Sequence, residues 1–561
     1  MRRLFKTLTT PDIRSGILTI PVLLLLAAIV RKAWLDLDTA WDSLAYHLPF
    51  AGLRGGVLSA SEYRLSQFML ERYNGFPILP DLIQGALWRI ASRIQAANLI
   101  GLAGLLPLVG MLKKVFRVPL TFSLVALLSI PVVLIQSTSS YVDLFSNCWM
   151  ASMLLLILAA ILYPERFSTT RLIGIFACFA VVLNSKLQLE PVALAAFGVF
   201  LVLLWISRRR YALLSFFIEN GGMWHKLGVS AALAALLALG FANPVKNWVE
   251  FRNPIYPLPI VGAKVDAPGE MAAKPDYLAR SSQGFRWLLS TVEYKSFEGR
   301  RPLWTNGQGD VTSDSPALFM GGDFGALVLF NILWLGFLQS KVKGRLGWAP
   351  CWFMGALTVI TAVMPGSPHS RYYMYWIICL VLLNLVLIVN SLSGERGSDA
   401  RILYVGGMAS FLVFVLCATD FVYIHRSGTT MQGMAQKVEK RLIDAHLRDG
   451  ETVCMANINP FALLFAPEFH PELRANFITR FKRSMVLATA RDFARCLEAS
   501  NRSNLEPGAA DILGTESYYR KARSGRIQIR DPSARSWNER RWRTDPGSIR
   551  YTTPLPSTMR I

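Results

Sequence analysis

The chain is short of charge, and shorter still of acids. Only 17% of its 561 residues are Asp, Glu, Lys or Arg, against 53% hydrophobic, and the mean hydropathy is +0.36. A soluble protein of this length would carry far more charge, so the composition points to a polytopic membrane protein. Acids number 37 against 59 Lys and Arg, for a formal net charge of +22. That surplus invites a nucleic-acid reading. Much of it lies in short segments between apolar runs, however, where membrane orientation places Lys and Arg, and nucleic acid is not expected as a partner. Cysteine is scarce as well: the seven residues form no CxxC pair and no Cys/His metal spacing, which argues against a zinc module. Cys148, Cys178, Cys351, Cys379 and Cys417 fall in or beside apolar runs and read as packing residues. Cys454 and Cys496 lie in the polar C-terminal part and would pair only in an oxidising compartment. There is no internal repeat. The first apolar run, 16–30, lacks a small-residue cleavage site, because Arg31-Lys32-Ala33-Trp34 follows it, and it reads as a retained anchor.

What is present is a series of apolar runs of about 20 residues, each long enough to span a bilayer. Eleven candidates stand at about 15–32, 95–112, 118–136, 142–162, 171–185, 190–207, 226–243, 323–340, 347–364, 372–393 and 402–424. The stretch 79–94 is helical in period, but Asp81, Gln84, Arg89 and Arg93 interrupt it, so it suits a helix lying in the interface. With the N-terminus cytoplasmic, that choice puts nearly all short basic loops, such as Lys113-Lys114-Val115-Phe116-Arg117 and Lys341-Val342-Lys343-Gly344-Arg345, on one side. A tail from about 425 forms a second unit, 425–561, after a membrane domain, 1–424. In it, 428–447, 459–465 and 480–499 read as helices and 451–456 as a strand, giving a small α/β domain. From Arg520 the chain is rich in Arg, Ser and Pro and reads as loosely ordered.

The opposite side receives the unusual polar clusters. The first is Asp36-Leu37-Asp38-Thr39-Ala40-Trp41-Asp42-Ser43-Leu44-Ala45-Tyr46-His47, directly after the first span. Asp143, Lys186, Glu190 and Arg371 sit at the ends of other spans, where an unpartnered charge is costly. Charges converging on one face are best explained by a shared polar site. A hydroxyl attacking an activated carbon needs a carboxylate base and cations for a departing phosphate. Asp36, Asp38 and Asp42 are base candidates; Lys186, Arg371, Arg72 and Arg252 are phosphate-binding candidates. Asp143 and a first-loop acid together offer oxygen ligands for a divalent cation such as Mg or Mn, although no spacing demands it.

These residues fall in a pattern. Trp41-Asp42-Ser43-Leu44-Ala45-Tyr46-His47-Leu48-Pro49, followed by Arg72-Tyr73-Asn74-Gly75-Phe76-Pro77 and an interfacial helix, resembles the first outer loop of GT-C class glycosyltransferases. These are the polyprenyl-phosphate-sugar-dependent enzymes related to protein O-mannosyltransferases and lipid A aminoarabinose transferases. Ser140-Tyr141-Val142-Asp143, Asn184-Ser185-Lys186, Arg252-Asn253-Pro254-Ile255-Tyr256-Pro257 and His369-Ser370-Arg371-Tyr372 agree in order and sidedness. The resemblance covers roughly 1–425 and leaves the tail unmatched. It implies an inverting transfer of a sugar from a polyprenyl-phosphate carrier to a glycan, lipid or protein acceptor, in the periplasm of a bacterium, by an inner-membrane enzyme. The family's first-loop base maps best onto Asp42. The familiar second acid is absent, since Ser43 follows, and this leaves Asp36 or Asp38 in contention. Lys186 and Arg371 would contact donor phosphate. Tyr46 and His47 would shape the pocket or bond the acceptor, and Tyr73, Asp143, Glu190, His369 and Tyr372 join the substrate-binding candidates. A polymerase or ligase using a pyrophosphate-linked glycan remains open through Arg280, Arg286, Arg300 and Arg301. A transporter or flippase fits less well, because no paired broken helices occur near mid-membrane.

Overall fold

In hydrocarbon a backbone finds no water to bond, so an apolar run must close its hydrogen bonds within itself as a helix. The computed structural model follows that rule. It describes residues 11–258, 282–292, 323–438 and parts of 452–488, except 41, 61–62, 64, 66, 165–166, 207–221, 343 and 393. Among the described residues, seven helical stretches are long and apolar enough to cross a membrane: Leu18–Leu35, Ile94–Phe116, Asp143–Leu162, Leu187–Ile206, Met223–Gly240, Phe324–Lys341 and Gly397–Ala418. Three shorter apolar helices, Thr169–Leu183, Gly347–Val363 and Tyr375–Ser391, accompany them. The chain is an α-helical, multi-pass membrane protein.

The bundle is built around two helices that are apolar on every side and therefore buried. Asp143–Leu162 is almost wholly enclosed, and Tyr375–Ser391 is buried without a break from Tyr375 to Ile388. Peripheral helices turn Ile20, Leu24, Val202, Trp205, Leu333 and Leu403 outward, as a lipid-facing surface requires. Inside the bundle, Tyr404 donates to Asn331 Oδ1 at 2.7 Å and Asn384 Nδ2 to the Asn331 carbonyl at 2.8 Å. Such bonds across helices stand in for the hydrophobic driving force that lipid does not supply.

The expected third span departs from one helix. It divides into Leu120–Leu128 and Pro131–Gln136. Pro131 has no N–H to give the preceding turn and disfavours helical geometry at Ile130, which is extended at φ −79°, ψ 109°. The interfacial reading of 79–94 corresponds to a helix Leu79–Ala91 of 13 residues. That is about 20 Å at 1.5 Å per residue, too short for a hydrocarbon core of about 30 Å. It buries Asp81, Gln84, Gly85 and Trp88 while leaving Leu82 and Ile90 exposed. Its buried face meets the short helix Leu48–Arg54. There the backbones approach so closely that a Cβ on Gly55 would sit 2.7 Å from Gly85 Cα.

The C-terminal unit shows a three-stranded sheet ordered Thr452–Ala456, Ser484–Ala488, Phe477–Ile478. Thr452–Ala456 pairs in parallel with Ser484–Ala488. The stretch 480–499, expected as a helix, is thus a strand over 484–488. A short continuous apolar run carries no period that separates a buried strand from a buried helix, and here a partner strand decides. The helix expected at 428–447 appears as Met431–Val438. The Cys496 half of the possible disulfide, the Cys454 side chain, and Arg280, Arg300, Arg301 and Arg520 lie outside the described residues. Met434, Leu463 and Leu464 pack in one cluster with Leu44, Leu48 and Trp88 of the first outer loop, and Phe469 stacks on Trp88 at 5.9 Å.

The glycine contact is testable. A Cβ on Gly85 would collide with the Ala51 carbonyl oxygen. Gly85→Ala should cost about 1–3 kcal/mol, read as a lowered unfolding midpoint in detergent, whereas the exposed neighbour Ala86→Ser should leave it unchanged.

Candidate active site

Asp42 opens the site, and the backbone after it is unusual. Residues Ser43–His47 form a π-helical turn before the helix Leu48–Arg54 begins. Bonding from i to i+5 widens the turn, so side chains four and five positions on share the face of the first. That brings Tyr46 and His47 to the side of Asp42, and all three line one cavity of about 200 Å³. Pro49, near the start of the following helix, has no N–H that the wider turn would need to satisfy.

The other wall comes from distant segments. Asp143 begins the helix Asp143–Leu162, where the positive end of the helix dipole favours a carboxylate. Lys186, extended at φ −161°, ψ 122°, lies just before the short turn Leu187–Leu189. The two form a buried ion pair, with Lys186 Nζ also 4.3 Å from the centre of the Tyr372 ring. Arg371 arrives on the turn before Tyr375–Ser391. Asn147 ties that turn to its neighbour helix: its Nδ2 donates to the Arg371 carbonyl at 3.3 Å, and its Oδ1 accepts from Tyr375 N at 2.8 Å. Arg371 Nη1 then donates to Asp42 Oδ2 at 2.9 Å, across 329 residues of sequence, with both side chains buried. Its Nη2 donates to the Tyr372 hydroxyl at 3.1 Å.

Burial sets the proton affinities. It works against the Arg371 charge, but Tyr372, Asp42, Tyr141 and Tyr46 together hold the guanidinium pKa well above its ordinary value. Burial first, then the cations Lys186 and Arg371, push His47 well below the usual imidazole range, so it is neutral at pH 7. The Lys186 ammonium is lowered by burial and by Arg371, with Asp42 pulling the other way. Burial and the charge of Asp42 raise the Tyr46 and Tyr141 phenols well above 10, and both keep their protons.

Of the residues expected in the site, Asp42, Tyr46, His47, Arg72, Asp143, Lys186 and Tyr372 line the cavity, and Arg371 stands against Asp42. Others are placed elsewhere. Asp38 accepts from Ser43 Oγ at 2.5 Å, Ser139 Oγ at 2.6 Å and Ser140 N at 2.8 Å, which makes it a clamp between two outer segments. Asp36 accepts from Ser427 N at 2.5 Å and Gly428 N at 3.0 Å and faces Lys32 at 3.6 Å, fastening the C-terminal unit to the first span. Tyr73 lies behind the cavity, its ring 4.6 Å from the Arg54 guanidinium. Glu190 and His369 are buried beside the site without lining it, and Arg252 is an exposed, left-handed helix cap at φ 56°. Sequence reasoning gave no site role to Arg54, Asp81 or Tyr141. Arg54 pairs with Asp81, which lines the cavity and which the sequence showed only as a polar break in an apolar period.

For a divalent cation the residues fit poorly. No group of three His, Cys, Asp or Glu side chains gathers as a ligand set among the described residues, and Asp42 and Asp143 each already face a protein cation.

No family model and no curated protein matches the chain. Among solved structures it is similar to ArnT from Cupriavidus metallidurans bound to undecaprenyl phosphate, with 12% identity and a TM-score of 0.46 over 86% of this chain and 89% of that one. The apo form of the same protein gives 12% identity and a TM-score of 0.47 over 86% and 88%.

Asp81 supplies a pH test. Burial raises its pKa from 3.8 to about 6, with Arg54 opposing. A raised folded-state pKa means that the folded protein binds the proton more tightly. Its contribution to stability is therefore complete below about pH 4 and is lost as pH rises to about 6, by up to roughly 3 kcal/mol. Asp81→Asn should flatten the dependence of the unfolding midpoint on pH between 4 and 6.

Proposed function

We propose that the protein is an inner-membrane glycosyltransferase of GT-C type that moves a sugar from a polyprenyl-phosphate carrier to an acceptor hydroxyl in the bacterial periplasm. The observation that carries this reading is the meeting of Asp42 with Arg371, and of Asp143 with Lys186, around one small cavity. A carboxylate beside two cations is what displacement at a sugar carbon attached to phosphate requires. Asp42 takes the proton of the acceptor hydroxyl. The acceptor oxygen bonds to the anomeric carbon from the face opposite the phosphate, the carbon–phosphate oxygen bond breaks, and the configuration inverts. Polyprenyl phosphate departs as an anion held by Lys186 and Arg371, whose burial weakens their screening by water.

The ion pairs also suggest an order. In the free protein Arg371 occupies Asp42. The donor is a phosphodiester with one negative charge and two free oxygens, matching a carboxylate, so it can take up the guanidinium fork and free Asp42 to act as base; the monoester that departs carries more charge and is held more strongly. A cavity of about 200 Å³, below the roughly 300 Å³ at which drug-sized sites begin, suits one sugar and its phosphate better than a pyrophosphate-linked chain. No step is routed through a divalent cation. Tyr46, Phe50 and Phe76 give the sugar apolar faces, and neutral His47 can hydrogen-bond the acceptor. The acceptor is a glycan, a lipid or a protein.

The test is to offer purified protein in lipid nanodiscs a panel of polyprenyl-phosphate sugars and follow carrier release and glycosyl product. Asp42→Asn should cut transfer by about 10²–10⁴-fold, the usual contribution of a positioned base, while the protein stays folded and inserted. Wild-type rates in that variant would remove Asp42 as base. Lys186→Met should weaken donor use by about tenfold or more, seen in the donor KM.

A further inference from the structure

The Arg371 guanidinium makes few hydrogen bonds for a buried cation. Nη1 donates to Asp42 and Nη2 to Tyr372, but Nε has no hydrogen-bond partner among the described residues. Two aromatic rings lie close against the guanidinium instead. The guanidinium carbon lies 5.0 Å from the centre of Tyr141 and 4.8 Å from that of Tyr372. Tyr141 is fully buried, and its ring also meets His47 edge-on, with centroids 5.6 Å apart at 66°. One ring thus touches both the cation that engages Asp42 and the imidazole in the cavity wall.

The ring is itself held. Tyr141 N donates to Ser139 Oγ at 3.1 Å, Ser139 Oγ donates to Asp38, and Gln84 Nε2 donates to the Ser140 carbonyl at 2.7 Å. A chain of fixed groups therefore runs from Asp38 through residues 139–140 to Tyr141, and so to Arg371. A long arginine side chain has several rotatable bonds, and the electron-rich face of a desolvated aromatic ring is a good surface on which to lay it flat.

We infer that Tyr141 is a positioning residue: its ring fixes the Arg371 guanidinium against Asp42 and sets His47 in the cavity, and Asp38 is the anchor of that ring. The consequence for transfer rests on the proposed function; the placement of Arg371 does not. Tyr141 acts through the face of its ring, so Phe keeps that role and Leu does not.

The experiment uses the full chain in nanodiscs with Tyr141→Phe, Tyr141→Leu, Arg371→Gln and the double variant Tyr141→Leu/Arg371→Gln. Unfolding midpoints give a double-mutant cycle that needs no turnover. The expected result is that Tyr141→Leu and Arg371→Gln each lower the midpoint, that the double variant loses clearly less than their sum, and that Tyr141→Phe loses clearly less than Tyr141→Leu. Additive losses, or an equal loss for Phe and Leu, would overturn the assignment. Binding of farnesyl phosphate, a short polyprenyl monophosphate, is measured on the same samples. Tyr141→Leu should weaken it by about tenfold, Arg371→Gln by as much, and the double variant no further; Tyr141→Phe should weaken it less than Tyr141→Leu does. Wild-type affinity in Tyr141→Leu would overturn the role in binding. Failure of the wild type to bind the probe would count against the functional reading, while the unfolding cycle would still decide the place of Tyr141.

Discussion

A charge withdrawn from water beside a membrane must be given a partner, and the outer end of this bundle is organised by that demand. Asp42 answers Arg371, Asp143 answers Lys186, Asp81 answers Arg54, and Asp36 answers Lys32. Removing one member of a buried pair leaves the other uncompensated, at a cost of about 3–5 kcal/mol. All but the Lys32–Asp36 pair, which lies within one turn, pin segments that the sequence keeps apart. Asp42 and Arg371 join the first outer loop to the turn before Tyr375–Ser391, and Asp143 and Lys186 join the starts of two helical segments. The cavity is the space those pairs leave between them.

The groups of the site are also held from outside it. The Asp42 turn is clamped from below by Asp38 and its serines and packed from the side by Leu463 and Leu464 of the C-terminal unit. The Arg371 turn is tied to Asn147 of the most enclosed helix. Groups held this way lose little freedom when a substrate arrives, which is how a site gains from orientation. The C-terminal unit touches the first outer loop directly, so its docking bears on the geometry of Asp42.

Much of this was legible in the sequence. Apolar runs of membrane length reported the bundle, and the interrupted period at 79–94 reported a helix too polar to cross. Charges at the ends of spans marked Asp143, Lys186 and Arg371, because burial there demands partners. Which partner each would take was not legible, since a pairing across 329 residues leaves no local trace. The resemblance favoured Asp42 but left Asp36 and Asp38 in contention for that reason; their partners, Arg371, Ser427 and Ser139, separate them. Pro131 announced a break that the hydropathy of 118–136 concealed, and Ser484–Ala488 became a strand through pairing that no window of sequence contains. Arg252 carried the right chemistry but caps a helix in the open, where chemistry without position counts for nothing.

Charge exchange tests the central claim most directly. Asp42→Arg and Arg371→Asp, made singly, each bury two like charges in contact; made together, they restore an opposite pair with reversed polarity. The unfolding midpoint of the purified full chain should fall sharply in either single variant and recover in the double, which would nonetheless lack transfer. Single variants as stable as wild type, or a double no more stable than the worse of the two, would contradict the pairing of Asp42 with Arg371.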